Sequence, residues 1–210
     1  TKRCVTSFFN SVRYVANMVP GSIHRISIFD DHSTQETVDY LKLLCDSYKQ
    51  NNIETEFISL DSKGIMNSIR KCYEHLEKKD GDLVYQVQDD YLFIESAIYQ
   101  MTDIFMQVYQ ATNEHPFVIS YSHPFYWAEK YKYTATMRAI IPGKKQYWFS
   151  SYEIPCTFLT SKFEFSKHWD LYEKFLNGDP HDPALETDSI HRILTERRVP
   201  CLVPFESVAL

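Results

Sequence analysis

The chain has 210 residues, 44% of them hydrophobic, and a formal net charge of -6 from 22 Lys plus Arg against 28 Asp plus Glu. That length and apolar content suit one sizeable domain with a packed core. The basic residues are scattered, which argues against a nucleic-acid surface, and no apolar run approaches the length of a membrane span.

Taken in order, Arg3–Phe9 (RCVTSFF) reads as a buried first strand and Asn10–Met18 as a short helix ended by Pro20-Gly21. Ile23–Phe29 reads as a second strand, running into the acid pair Asp30-Asp31. Ser33-Thr-Gln-Glu36 has the form of a capping box, opening a helix with apolar positions at Val38, Leu41, Leu44, Cys45 and Tyr48. Glu54–Leu60 alternates as a third strand, and Ile65–Lys78 has helical period. Leu83–Gln88 is a fourth strand, stopping at a second acid pair, Asp89-Asp90. Glu95–Gln110 reads as a helix and Phe117–Ser120 as a fifth strand. Tyr121–Tyr152 is aromatic and irregular, with strands expected near Tyr133–Ile141. Cys156–Thr160 is a late strand, Lys162–Leu176 an amphipathic helix, and Asn177–Pro183 a turn-rich loop. Leu185–Glu196 closes as a last helix, with Cys201–Val203 as a final short strand.

Strand alternating with helix predicts an α/β fold: a single domain whose mixed, mostly parallel central sheet is flanked by helices. The five cysteines (Cys4, Cys45, Cys72, Cys156, Cys201) form no CxxC pair and sit among apolar neighbours, so they read as reduced thiols of a cytoplasmic protein. The chain lacks an initial Met and a signal-peptide pattern and stops after an apolar stretch; an excised piece of a longer polypeptide is expected.

If both acid-ended strands are parallel, both pairs lie at one carboxyl edge, where open α/β sheets bind ligands. So much negative charge calls for a divalent cation or a hydroxyl-rich ligand. The bland reading is that each pair is a strand-end turn. There is no GxxxxGK[ST] loop and no GxGxxG after the first strand, and 5 glycines leave no Gly-rich phosphate cradle. Metal-mediated phosphate binding is what remains.

On TSFFNS near the start, IFDDHST after the second strand, QVQDDYLF after the fourth and LETDSIH late in the chain, the sequence resembles the GT-A fold glycosyltransferases, closest to inverting, family-2-like members. More loosely, it is similar to the N-terminal domain of multidomain chlorella-virus glycosyltransferases, which implies a viral protein of the host cytoplasm. The resemblance implies one nucleotide-diphospho-sugar transferase-like domain over 1–210, with a donor-binding half (1–120) and an acceptor-binding half (121–210). It implies transfer of a sugar from a nucleotide sugar, a UDP-sugar first, to an acceptor hydroxyl on a carbohydrate or glycoprotein.

Residue by residue, the resemblance gives Asp31 the base of the donor, with Asp30 as its neighbour. Thr6, Ser7, Phe8 and Phe9 wrap base and ribose. Gln88, Asp89 and Asp90 stand at the family's DXD motif. Asp90 binds Mn²⁺ or Mg²⁺ and Asp89 the ribose or sugar, while Gln88 departs from the usual first Asp. Lys63 and Arg70 flank a donor-facing helix start, and Lys63 or Arg13 is a phosphate partner. Asp188, then Glu186, is the base for the acceptor hydroxyl. His191 is an additional metal ligand or donor contact. Trp127, Trp148 and Tyr152, with Tyr147, stack on acceptor sugar rings. The plainer alternatives are helix N-terminal acids at Glu186 and Asp188, a solvated His191, surface cations at Lys63 and Arg13, and core or lid aromatics. Rival functions are a sugar nucleotidyltransferase, disfavoured because TSFFNSVRY lacks glycine, and a non-catalytic nucleotide-sugar-binding module.

Overall fold

A computed structural model describes residues 2–50, 52–123, 139–151 and 157–210. The chain is mixed α/β and forms two compact units: Thr1–His75 with Asp89–Tyr99, and Leu76–Gln88 with Gln100–Leu210.

The first unit begins with a helix, α1 (Lys2–Met18), where a strand was expected. The apolar positions explain why. Phe9, Val12, Val15 and Ala16 are buried at steps of three and four, and half-buried Val5 extends the same stripe backwards. The hydroxyls of Thr6 and Ser7 donate to the carbonyls of Lys2 and Cys4 within the helix. β1 (His24–Asp30) and β2 (Ile53–Ser59) pair in parallel, from His24 opposite Ile53 to Asp30 opposite Ser59. They form a separate two-stranded sheet, joined by the crossover helix α2 (Gln35–Tyr48). The cap of α2 is Thr34, whose side chain accepts the Thr37 N–H, so Ser33 and Glu36 do not form the expected box. Glu36 instead meets the Lys2 ammonium at 2.5 Å. α3 (Ile65–Lys78) matches its expected bounds.

In the second unit β3 (Leu83–Gln86) is shorter than expected. α4 (Ala97–Thr112), whose first residues belong to the first unit, precedes β4 (Phe117–Val118). β5 (Ile140–Pro142) and β6 (Tyr147–Ser150) form a hairpin, followed by β7 (Phe158–Ser161) and finally β8 (Cys201–Pro204). The six-stranded sheet runs β3-β7-β4-β8-β6-β5. Among the described residues of this sheet, β4 and β8 pair in parallel and the other four pairings are antiparallel. The expected mostly parallel sheet is therefore replaced by a mostly antiparallel one. The β5–β6 connection shows one reason: four residues cannot carry a parallel crossover.

The expected helix over Lys162–Leu176 is two helices, α5 (Lys162–Lys167) and α6 (Trp169–Asn177), divided at the buried His168. Of the expected helix Leu185–Glu196 one turn remains, α7 (Arg192–Thr195), preceded by successive turns over 183–191. The Asp179 and Asp182 carboxylates accept the N–H groups of His181 and Ala184, which holds the chain in turns there. The core of this unit is aromatic: Phe158 lies 5.1 Å from Phe117 and stacks on Tyr172 at 6.0 Å. The expected strands near Tyr133–Ile141 fall on β5 for their last residues and otherwise lie outside the described residues. Among the described residues Cys4, Cys45, Cys72 and Cys201 form no disulfide, while Cys156 lies outside them. Among the described residues no helix is long and apolar enough to cross a membrane.

Candidate functional site

The two acid pairs do not share a sheet edge. Asp30 ends β1 in the two-stranded sheet, whereas Asp89 and Asp90 follow β3, a strand of the six-stranded sheet. The pairs share a compact unit instead, since both Asp30-Asp31 and Asp89-Asp90 belong to the first. β3 ends at Gln86, so half-buried Gln88 and the exposed Asp89 and Asp90 form a turn beyond the strand.

Asp30 and Asp31 have different environments. The Asp30 side chain is turned in, with only 6% of the residue exposed, and accepts the Ser33 N–H at 3.4 Å. Asp31 faces the loop after β2 and accepts the Gly64 N–H at 3.0 Å. Gly64 has φ +134, a conformation that side-chain-bearing residues rarely adopt, so glycine at this place aims the donor. The Gly64 N–H, then the His32 ring and the Ser68 hydroxyl, outweigh burial and hold the Asp31 carboxyl below its ordinary value. Asp31 is thereby kept ionised and oriented, linking the loops after β1 and β2. Lys63 is exposed in the second of these loops, Arg70 is half-buried on α3, and Arg13 is tied to Asn10 at 2.9 Å.

The Thr6–Phe9 segment divides along helical faces. Phe9 is fully buried, edge-on to Tyr48 at 5.1 Å, so it is a core residue and not a donor contact. Phe8 packs on Phe93 at 5.4 Å. Thr6 and Ser7 lie on the other side, in a cleft of about 360 Å³ with Asn10 of α1, Tyr40 of α2 and Leu92. Ser7 Oγ accepts the Phe93 N–H at 2.9 Å, which fastens α1 to the segment that follows Asp89-Asp90. Lys2 and Arg3 line the same cleft. The sequence reading missed these two cations, Tyr40 and Leu92. A helical reading of α1 would have found the first two: Lys2, Arg3, Thr6, Ser7 and Asn10 recur at steps of three and four, making a polar stripe opposite the apolar one.

On the second unit, Glu186 and Asp188 are exposed in the turns before α7 and do not open a helix. The Asp188 carbonyl accepts the Lys174 ammonium at 2.6 Å. His191 stands beside Glu186, its Nε2 3.8 Å from the carboxylate and its N–H on the Glu186 carbonyl at 3.0 Å. Trp148 is 1% exposed and fills the core beneath Gly143, so it cannot meet a sugar. Its neighbour Tyr147 is 60% exposed, edge-on to Phe205. Trp127 and Tyr152 lie outside the described residues.

Among the described residues no three His, Cys, Asp or Glu side chains gather as a metal cage. Asp89 and Asp90 offer hard carboxylate oxygens in an exposed turn. That donor set fits Mg²⁺ or Mn²⁺ shared with ligand phosphates, the usual way such ions are held, but not an ion held by protein alone. Comparison with family models, with curated proteins and with solved structures found no match for this chain.

Proposed function

We propose that the chain is a glycosyltransferase of the GT-A type that moves a sugar from a nucleotide sugar, a UDP-sugar first, to an acceptor hydroxyl with inversion. The observation that carries this reading is the cleft on the first unit. It brings Thr6 and Ser7, expected at the donor, together with Leu92, two residues after Asp90. Asp31 is the oriented acceptor for the base, and Asp89 and Asp90 supply the carboxylates of a Mn²⁺ or Mg²⁺ site. A divalent cation there supplies compensation for charge on a departing nucleoside diphosphate. Asp188, then Glu186, is proposed as the base; both are exposed, so an acceptor hydroxyl can reach either. The cleft lies wholly within one unit, which also suits a non-catalytic nucleotide-sugar-binding module.

The test is calorimetric titration of UDP, GDP and their sugars with and without Mn²⁺. One nucleotide should bind about tenfold more tightly with the metal, a difference of about 1.4 kcal/mol. Asp90→Ala should remove that gain and leave metal-free binding. Metal-independent behaviour of every nucleotide sinks the proposal. Asp188→Ala separates enzyme from module: the enzyme keeps nucleotide binding and loses transfer.

A further inference from the structure

We propose that the cleft on the first unit binds the phosphate-bearing end of a small anionic ligand, with the Arg3 guanidinium as its anchor. This deepens the reading above by naming the group that would meet a diphosphate.

Most of the cleft's polar lining has its hydrogen-bonding capacity already used. Thr6 Oγ1 donates to the Lys2 carbonyl at 2.8 Å and so accepts from the Tyr40 hydroxyl at 2.5 Å. Ser7 Oγ is committed on both sides, to the Cys4 carbonyl and the Phe93 N–H. Lys2 is held by Glu36 at 2.5 Å and lies over the Tyr40 ring at 5.3 Å, so its charge is largely offset. The Asn10 side-chain oxygen accepts from both the Tyr48 hydroxyl and the Arg13 guanidinium. Arginine only donates, so that atom is the oxygen and the Asn10 NH₂ is left over. Arg3 is exposed and has no hydrogen bond or ion pair among the described residues.

The unused groups of this lining are therefore mainly donors: a guanidinium and an amide NH₂. Seven residues apart, they sit two helical turns from each other on one face, about 10 Å along the axis. A phosphate suits the Arg3 end, because the planar fork of arginine matches phosphate oxygens in pairs. A neutral acceptor suits the Asn10 end, and Leu92 gives the cleft an apolar wall. In a chain of net charge -6, a donor-rich cleft beside an uncompensated cation is a local exception to the overall field.

The probe is inorganic pyrophosphate, titrated into the full chain in EDTA so that no metal contributes. Binding should be saturable, should weaken as ionic strength rises, and should fall about tenfold or more in Arg3→Ala. Arg3→Lys should fall less, and Arg25→Ala, an exposed cation of the same unit, should match the wild type. Absent pyrophosphate binding, or binding unchanged in Arg3→Ala, overturns the inference. Arg3 is exposed, so its variants test binding and not folding. Arg3-dependent pyrophosphate binding with no metal effect on any nucleotide upholds this inference and removes the sugar-transfer reading. Metal-enhanced nucleotide binding unaffected by Arg3→Ala does the reverse.

Discussion

Glu164 is the residue whose removal the second unit should feel most specifically. Only 4% of it is exposed, and it lies beside His168, which is 0% exposed. The Arg197 guanidinium donates to His168 Nδ1 at 2.9 Å, so that nitrogen carries no proton. The ring is therefore neutral, with its hydrogen on Nε2, and donates to Glu164 Oε1 at 2.6 Å. Lys167 adds a second donor to the same carboxylate at 3.1 Å. Glu164→Ala strips the acceptor from a buried N–H, and a hydrogen bond to a charged group is worth about 1.5–3 kcal/mol. Glu164→Gln keeps an acceptor oxygen and should cost about half as much. In urea, where ΔG falls by about 1–3 kcal/mol per molar for small proteins, the Ala variant should move the midpoint down by about 1 M. The pH dependence has a fixed sign. Burial pushes the Glu164 carboxyl up, but the bonds from His168 and then Lys167 outweigh it and hold the carboxyl below its ordinary value. A depressed carboxyl stabilises above the unfolded-chain value, about 4.3, and that contribution is lost as pH falls through the lower folded value. Wild type should lose stability below about pH 4 more steeply than Glu164→Gln. An Ala variant within about 0.5 kcal/mol of wild type, or identical acid profiles for wild type and Gln, would refute the network account.

Two further outcomes follow from packing. A Cβ at Gly178 would come within 2.0 Å of Leu185 Cδ1, while the backbone there is ordinary, with φ -77. Gly178→Ala should cost about 1–3 kcal/mol, a drop of several degrees in a thermal scan. It should become nearly neutral in a Leu185→Ala background, and a full penalty in that background would show that the clash is not the cause. Trp148→Ala should destabilise by about 3–5 kcal/mol. Tyr147→Ala should cost under about 1 kcal/mol, and measured urea midpoints in the opposite order would contradict the burial assigned to this pair.

Local chemistry made much of the fold legible before any tertiary structure. α3 was readable to its last residue, because Ile69 and Tyr73 recur at helical spacing with no competing signal. β1 and β2 were both expected as strands, β2 from its alternation, and the helix between them made their parallel pairing follow. The start of the chain was misread because Cys4, Val5, Phe8 and Phe9 form a short apolar cluster, in which strand and helix periods are hard to tell apart. Continuity with Val12 and Ala16 decides for the helix. That single change moved Phe9 into the core and turned Lys2 and Arg3 toward a cleft.

The sequence by itself determined which residue types were available: two acid pairs, no glycine-rich phosphate loop, and a late Glu186-Asp188 stretch. It determined most helix and strand segments as well, since capping, periodicity and turn chemistry act over a few residues. Tertiary structure alone decided which strands became neighbours. β3 joined β7 in an antiparallel pair and not the β1–β2 sheet, so the acid pairs follow strands of different sheets. Pairing of distant strands depends on the packing of the whole core, which no local window contains. For the same reason only the folded chain separated Tyr147 from Trp148 and Asp31 from Asp30. Side chains adjacent in sequence face opposite ways on a strand or turn, and burial by distant residues assigns one to solvent and the other to the interior.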